Sequence, residues 1–242
     1  KCRIDAANDL LALHAWLVTK ARNPNTERAY RREAERLLLW CVLERGIALS
    51  SMSIDDATTY RDWMAALGRT EDTHWLYRLP QSNWLGRRGT PRWSASWRPF
   101  EDALSHRSLL HAHTILKSLF DWLVKVRYLD SNPWECVPAL RAVEAMETPE
   151  LEQTRSLTQG QWQFLIAHLA QLPNTPANAR FQFVLPFAYA TGLRLSELVD
   201  ARVGRLYSQP LKTTLGMRWM LKVLGKGGKW RAVPMPVPVM AA

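Results

Sequence analysis

Several features that mark common functional classes are missing from this sequence. Its three cysteines show no C-x-x-C spacing and are odd in number, which argues against both a disulfide framework and a zinc site. No run approaches the roughly eighteen unbroken apolar residues of a membrane span, and the opening K-C-R-I-D is not a signal peptide. We therefore expect a cytoplasmic protein with no metal, no small-molecule cofactor and no membrane partner.

Acidic residues are scarce in one part of the chain only. The formal charge is +10 and the pI is about 9.9. From residue 153 onward there are eleven Lys and Arg against two acids, whereas residues 1–152 hold twenty-one basic and twenty acidic residues. A basic surplus of this size favours nucleic-acid partners, because cations neutralise phosphates and release counterions.

Length and pattern predict two domains. The 242 residues, 47% of them hydrophobic, suffice for two cores. N-cap residues and apolar residues at helical spacing predict four helices in the first part, at residues 6–19, 24–45, 53–67 and about 104–127. The second helix should bury Ala29, Tyr30, Ala34, Leu37, Leu38, Cys41 and Val42. The polar, acidic residues 141–155 are typical of a linker, which gives domains at 1–140 and 156–242.

A helix break carries the most informative residues of the second part. After a helix at 159–171 and a strongly apolar helix at 180–190 that should lie in a core, residues 187–198 read F-A-Y-A-T-G-L-R-L-S-E-L. Gly192 can take the left-handed conformation that ends a helix, so Arg194 should sit at a corner between two helices. Such a corner offers a guanidinium and free backbone N–H groups to one anion. The alternative is an ordinary helix-turn-helix corner with a local Arg194–Glu197 ion pair.

A hairpin signal follows. The segments M-R-W-M-L-K-V-L (217–224) and W-R-A-V-P-M (230–235) flank G-K-G-G-K, and alternation around a Gly-rich centre predicts two paired strands. A lysine beside glycines, such as Lys226, is usually a solvated turn residue.

These motifs together resemble the tyrosine recombinases, the phage-integrase family of DNA strand exchangers. That family has an arginine box close to A-T-G-L-R-x-S-E-L, then a three-stranded sheet with a lysine in its second turn. N-T-E-R-A-Y and D-W-L-V-K-V-R-Y-L-D-S-N-P are similar to the opening and closing motifs of its helical domain. The resemblance implies a mainly α fold: a helical, SAM-like core-binding domain, then the N-terminal part of an α+β catalytic domain with a small three-stranded antiparallel sheet.

The resemblance also implies roles for individual residues. Arg194 would stabilise the charge that develops on the scissile phosphate, and Lys226 would be the general acid for the leaving 5′ oxygen. Glu197 would support this cluster without touching the phosphate. The expected contacts to double-stranded DNA are Arg107, His111 and Lys117 on the fourth helix, and Lys229 and Arg231 in the hairpin.

The later motifs of that family do not occur in the sequence. There is no H-x-x-R, all six histidines precede Arg194, and Tyr207, the one tyrosine after Arg194, precedes the hairpin. We expect a fragment that binds DNA but lacks the nucleophile, from an enzyme that works as a homo-tetramer on two duplexes. Two alternatives remain: a DNA-binding protein without chemistry, such as a natural truncation, and a helix-turn-helix regulator whose corner imitates the arginine box.

One segment departs from the family pattern. Residues 73–100 hold five arginines, four tryptophans and no acid, in a place where most recombinases need far fewer residues. The tryptophans could fold an ordered loop onto the helical domain, or the aromatic and basic side chains could contact DNA. The usual burial of tryptophan favours the ordered loop.

Overall fold

The computed structural model describes residues 2–21, 23–140, 156–210, 216–236 and 240. The chain divides into two compact units, Lys1–Ala145 and Met146–Ala242. The segment 141–155, predicted to be a linker, lies outside the described residues.

Four α-helices form the first unit: α1 (Asp9–Val18), α2 (Pro24–Trp40), α3 (Ile54–Ala66) and α4 (His106–Lys125). Each begins after a side chain that accepts a hydrogen bond from a backbone N–H in the first turn, and these N-caps are Asn8, Asn23, Ser53 and Ser105. All four lie where the sequence predicts helices; the ends of α1, α3 and α4 are one to three residues inside the predicted bounds, and α2 begins at its predicted first residue.

The end of α2 departs from the prediction. A turn of π-helix (Cys41–Arg45) continues it to Gly46, which is left-handed with φ 69°. A π-helix has more residues per turn than the 3.6 of an α-helix, and the predicted buried face of α2 assumed 3.6. Val42, predicted to be buried, is therefore 54% exposed, while Trp40 and Cys41 are fully buried. The prediction for Val42 is wrong.

The core of the first unit is unusually aromatic. Trp40 contacts Tyr60 edge-on at 5.0 Å between ring centroids, and Tyr60 stacks on Trp63 at 5.7 Å. Trp84, from the segment 73–100, meets Trp63 at 4.8 Å. Trp84 shows that segment 73–100, which differs from the family pattern, contributes to this core.

Hydrogen bonds fix the base of segment 73–100. Leu85 and Phe100 form an isolated bridge, in which the Gly86 N–H donates to the Phe100 carbonyl at 2.8 Å. The buried Glu44 carboxylate accepts the backbone N–H groups of Arg78 and Leu79. These contacts favour the ordered-loop interpretation for the base of the segment.

The second unit combines three helices with a small sheet. Its helices are α5 (Gln159–Ala170), α6 (Pro176–Thr191) and α7 (Leu195–Val199), and its strands are β1 (Leu206–Pro210), β2 (Met217–Leu224) and β3 (Trp230–Pro234). The strands pair antiparallel in the order β1-β2-β3, and Leu221 in the central strand lies opposite Leu206 and Val233. The predicted hairpin is therefore observed in register.

The apolar helix α6 does not lie in a core as predicted. Among its described side chains only Phe187 is buried, and Phe181, Phe183 and Tyr189 are exposed. Phe187 packs on a cluster with Leu221, Val223, Val233 and Met235, which is too small to cover more than one face of the helix. Within the described residues, no helix is long and apolar enough to cross a membrane.

Candidate nucleic-acid interface

The corner between α6 and α7 presents Arg194. Gly192 is left-handed (φ 57°, ψ 29°), and its N–H donates to the Ala188 carbonyl at 2.9 Å, which ends α6 as the sequence predicts. Arg194 is then extended (φ −67°, ψ 155°) and directly precedes α7. Its side chain is 63% exposed. The guanidinium is therefore accessible to an anion.

A buried carboxylate holds that arginine. Glu197, 4% exposed, accepts the Arg194 backbone N–H at 2.9 Å and Arg194 Nη1 at 3.1 Å. Its Oε2 also accepts Arg231 Nη2 from β3 at 2.6 Å. The backbone N–H of Arg194 lowers the pKa of Glu197 most, burial opposes this, and the bonds from both arginines lower the pKa further. The carboxylate stays ionised and aligns two cations.

This geometry changes two expectations about the corner. The Arg194 backbone N–H is not free for an anion, because Glu197 already accepts it. The local Arg194–Glu197 ion pair of the alternative interpretation is present. However, Glu197 also binds Arg231, thirty-four residues further along the chain, which a purely local pair does not explain.

The β2–β3 turn packs against the same carboxylate. A Cβ placed on Gly225 would lie 3.3 Å from Glu197 Oε1, so this position has little room for a side chain. The Gly225 N–H donates to the Lys229 carbonyl at 2.8 Å, and Gly227 and Gly228 are both left-handed. Lys226 follows Gly225 directly, with its Cα about 3.8 Å away, and its side chain is exposed.

The second unit thus brings four of the predicted site residues to one place. Arg194, Glu197 and Arg231 are joined by hydrogen bonds, and Lys226 begins beside them. Lys229 contributes its carbonyl to the turn, and its side chain is exposed. The close approach of Gly225 to Glu197 was not predicted. A glycine at the start of a tight turn often marks such an approach, so the sequence did contain a signal for it.

A cationic cluster on the sheet was not predicted from the sequence. The guanidinium of Arg205 and the ammonium of Lys222 lie 5.2 Å and 5.3 Å from the Trp230 ring. Lys222 alternates with the buried Leu221 and Val223, so it faces away from the core. This alternation is visible in the sequence and would have predicted that Lys222 lies on the exposed face of the sheet.

A basic groove lies between α2 and α4 in the first unit. It is lined by Arg32, Glu33, Arg36, Leu104, Arg107, Ser108, Leu110, His111 and Thr114. Arg107 and His111 are one helical turn apart and both exposed. The groove therefore joins two of the three residues predicted on α4.

The arginines of this groove differ in whether the Glu33 carboxylate binds them. Its side chain is 3% exposed and accepts Arg32 Nε at 2.9 Å and Arg36 Nη1 at 3.1 Å. In the described part of the chain, no acid lies within 4.0 Å of the Arg107 guanidinium. The buried Glu33–Arg36 pair was not predicted from the sequence.

Lys117 lies apart from this groove. Ten residues after Arg107, it is about 280° further around the helix at 100° per residue. It is close to His113, whose pKa is lowered first by burial and then by the charges of Lys117 and Arg61. The structure does not bring Lys117 together with Arg107 and His111.

Comparison with known sequences gives distant relatives. No family model matches the chain. It is 30% identical over 131 residues to the tyrosine recombinase XerD of Rickettsia conorii, covering 54% of this chain and 40% of that protein. It is 26% identical over 217 residues to the XerD of Ralstonia nicotianae, covering 87% of this chain and 58% of that protein. The chain thus spans between two fifths and three fifths of these relatives' length.

Comparison with solved structures gives the same type of fold. The integrase of the Tn1549 transposon, solved in complex with a circular intermediate DNA, superposes with a TM-score of 0.53. The match covers 95% of this chain and 61% of the integrase chain, at 16% sequence identity. The predicted fold class, a helical domain followed by helices and a small antiparallel sheet, is confirmed.

Proposed function

Because this chain is similar in sequence to tyrosine recombinases, we propose that it belongs to that family, binds duplex DNA and contributes to strand exchange through a 3′-phosphotyrosine intermediate. The observation that carries this proposal is the buried Glu197, which holds Arg194 and Arg231 beside the turn that bears Lys226. In our proposal, Arg194, Arg231 and Lys226 direct their cationic side chains to one scissile phosphate.

The chemistry follows from the charges. When a tyrosine oxygen attacks phosphorus, a new P–O bond forms, the bond to the 5′ oxygen breaks, and negative charge grows on the non-bridging oxygens. A guanidinium already fixed by a carboxylate stabilises that charge without reorganising. Arg194 is this group in our proposal. The ammonium of Lys226 gives its proton to the leaving 5′ oxygen, which becomes a hydroxyl.

The nucleophile lies outside these 242 residues in our proposal. The sequence contains no H-x-x-R and no tyrosine after the hairpin. The described protein would then hold DNA and supply Arg194 and Lys226, while the tyrosine comes from elsewhere in a longer recombinase that assembles as a tetramer. A DNA-binding role without chemistry is the second candidate, supported by the basic surplus of the chain.

DNA binding would involve both units. In the first, Arg107 and His111 face the groove and are proposed to contact bases or phosphates. In the second, the hairpin residues Lys229 and Arg231 are proposed to contact the backbone near the cleavage point, although Arg231 shares its guanidinium with Glu197. Lys117, on another face of α4, would make a separate contact.

Two measurements test the proposal. The 242-residue protein should bind duplex DNA with an affinity that falls steeply with salt. It should form no covalent adduct with a suicide substrate, in which the cleaved strand cannot be rejoined. Failure to bind any duplex at low salt would refute the proposed function, and an adduct would refute the absence of the nucleophile.

A third measurement tests Arg194 in a longer protein that includes the tyrosine. Arg194→Ala should abolish cleavage with a small loss of DNA binding, because the side chain acts mainly in the transition state. Arg202→Ala is the matched control, since Arg202 is also an exposed arginine of the second unit, near Asp200. Equal losses of binding and cleavage would mean that Arg194 only positions DNA. Unimpaired cleavage would show that Arg194 is not needed for the chemistry and would refute its proposed catalytic role.

A further inference from the structure

The exposed end of segment 73–100 differs from its base. We define the arginine tip as residues 86–98, which hold Arg87, Arg88, Arg92 and Arg98 and no acid. Trp93, within the tip, is 90% exposed, although tryptophan is usually buried. The Arg88 side chain is 92% exposed and lies 3.7 Å from Glu101, and Arg87 is also exposed. The tip therefore offers two cations and an indole ring to solvent.

The tip is nevertheless held in place. Arg98 donates to the carbonyls of Ser82 at 3.0 Å and Ala95 at 2.9 Å, so its charge is used to close the loop. The Gln81 side chain, at the base, accepts the Gly68 N–H at 2.7 Å and donates to the Thr70 carbonyl at 2.8 Å. A surface presented on a fixed loop loses less conformational entropy on binding than a free one.

The tip adjoins the basic groove. Arg92 pairs with Glu35 on α2 and lies 5.1 Å from the Trp97 ring. One residue further along α2, Arg36 lines the groove and donates to the Pro99 carbonyl at 3.0 Å, directly after the tip. The two basic surfaces are therefore continuous across α2.

We propose that the arginine tip is a second duplex-binding element of the first unit. Arg87 and Arg88 bind backbone phosphates next to those that meet the groove, and Trp93 packs against the adjoining sugars. This inference rests on the proposed function, because it assumes that the groove faces DNA. It assigns a role to residues that have no counterpart in the family pattern. The consequence is a longer contacted stretch of duplex than the groove alone would cover.

The test compares Arg87→Ala/Arg88→Ala with a matched double variant, Arg3→Ala/Lys125→Ala. The control also removes two exposed cations, at the far end of α4, roughly 27 Å along the helix from Arg107. Each lost phosphate contact should lower the slope of log K against log salt by about 0.9. We expect the tip variant to lower the slope by about 1.8, to weaken binding about 30-fold at roughly 0.15 M salt, and to lose footprint protection on one flank. The control should leave slope and footprint nearly unchanged.

The outcomes separate the two proposals. Binding by the unaltered protein together with equal slopes and footprints for both variants overturns the inference and leaves the proposed function standing. Absence of duplex binding by the unaltered protein overturns both. Trp93→Ala gives an independent reading, because it removes no charge: it should weaken binding several-fold with the salt slope unchanged. Unchanged affinity in Trp93→Ala shows that the indole does not contact DNA and overturns that part of the proposal.

Discussion

Two arginines of the groove between α2 and α4 should contribute unequally to DNA binding. Arg32 and Arg107 carry the same charge and line the same surface. Arg32 donates its Nε to the buried Glu33, whereas no acid among the described residues lies within 4.0 Å of Arg107. A phosphate must compete with Glu33 for Arg32 but not for Arg107. We therefore expect Arg107→Ala to weaken binding more than Arg32→Ala.

The size of the effect follows from counterion release. One phosphate contact changes log K by about 0.9 for each tenfold change in salt. We take the Arg107 contact to contribute nothing to the affinity at about 1 M salt. Its loss should then weaken binding about 5-fold at roughly 0.15 M salt and about 15-fold at roughly 0.05 M. Arg32→Ala should produce less than half of the change in log K at either concentration.

Fluorescence anisotropy with one labelled duplex, titrated at several salt concentrations, measures both quantities. Each variant must first show the circular dichroism and thermal unfolding of the unaltered protein. Equal losses of affinity and equal slopes for the two variants would refute the reasoning, because net charge alone would then decide binding. An unchanged slope for Arg107→Ala would show that its guanidinium does not meet a phosphate.

The remaining predictions concern stability and the Glu197 cluster. Tyr60→Phe should raise the free energy of unfolding by about 1 kcal/mol in urea denaturation, because the buried Tyr60 hydroxyl has no hydrogen-bond partner among the described residues; a loss of stability would point to a bound water. The lowered pKa of Glu197 means that its contribution to stability is complete above its ordinary value of 4.5 and lost as pH falls through the lower folded-state value. The protection factor of the Arg194 N–H against amide exchange should fall over that acidic range, and Glu197→Gln should weaken this pH dependence; the same fall in the variant would contradict the assignment. Gly225→Ala should disturb the turn beside Glu197 and reduce cleavage in a longer, active protein, whereas Gly228→Ala, where a Cβ has open space, tests the effect of the left-handed backbone alone.

Local signals in the sequence were sufficient to predict the helices and strands that carry the site in the second unit. Gly192 ends α6 because only a left-handed residue can close that turn, and alternation around Gly225 to Lys229 fixes the register of β2 and β3. The helix caps were equally readable, since Asn23 and Ser53 each precede an apolar repeat. In each case the determining residues lie within a few positions of the element.

The parts that could not be predicted depend on contacts between distant residues. The π-turn after Trp40, which exposes Val42, has no local signature in the sequence. The burial of Glu33 depends on Arg36, and that of Glu44 on the backbone of residues 78 and 79. Likewise, the link from Glu197 to Arg231 requires the sheet to fold back onto the corner. From the local sequence alone, each of these buried carboxylates is expected to lie on the surface.

Because the Glu197 carboxylate binds both Arg194 and Arg231, the corner between α6 and α7 and the β2–β3 hairpin should move together. Any movement that lifts β3 must either break the Arg231–Glu197 bond or pull α7, and Arg194 with it. A DNA backbone that displaces the hairpin would therefore also reposition the arginine, without any rearrangement of the core beneath the sheet. The position of the hairpin on the duplex and the orientation of the guanidinium proposed to bind the phosphate would then be mechanically coupled.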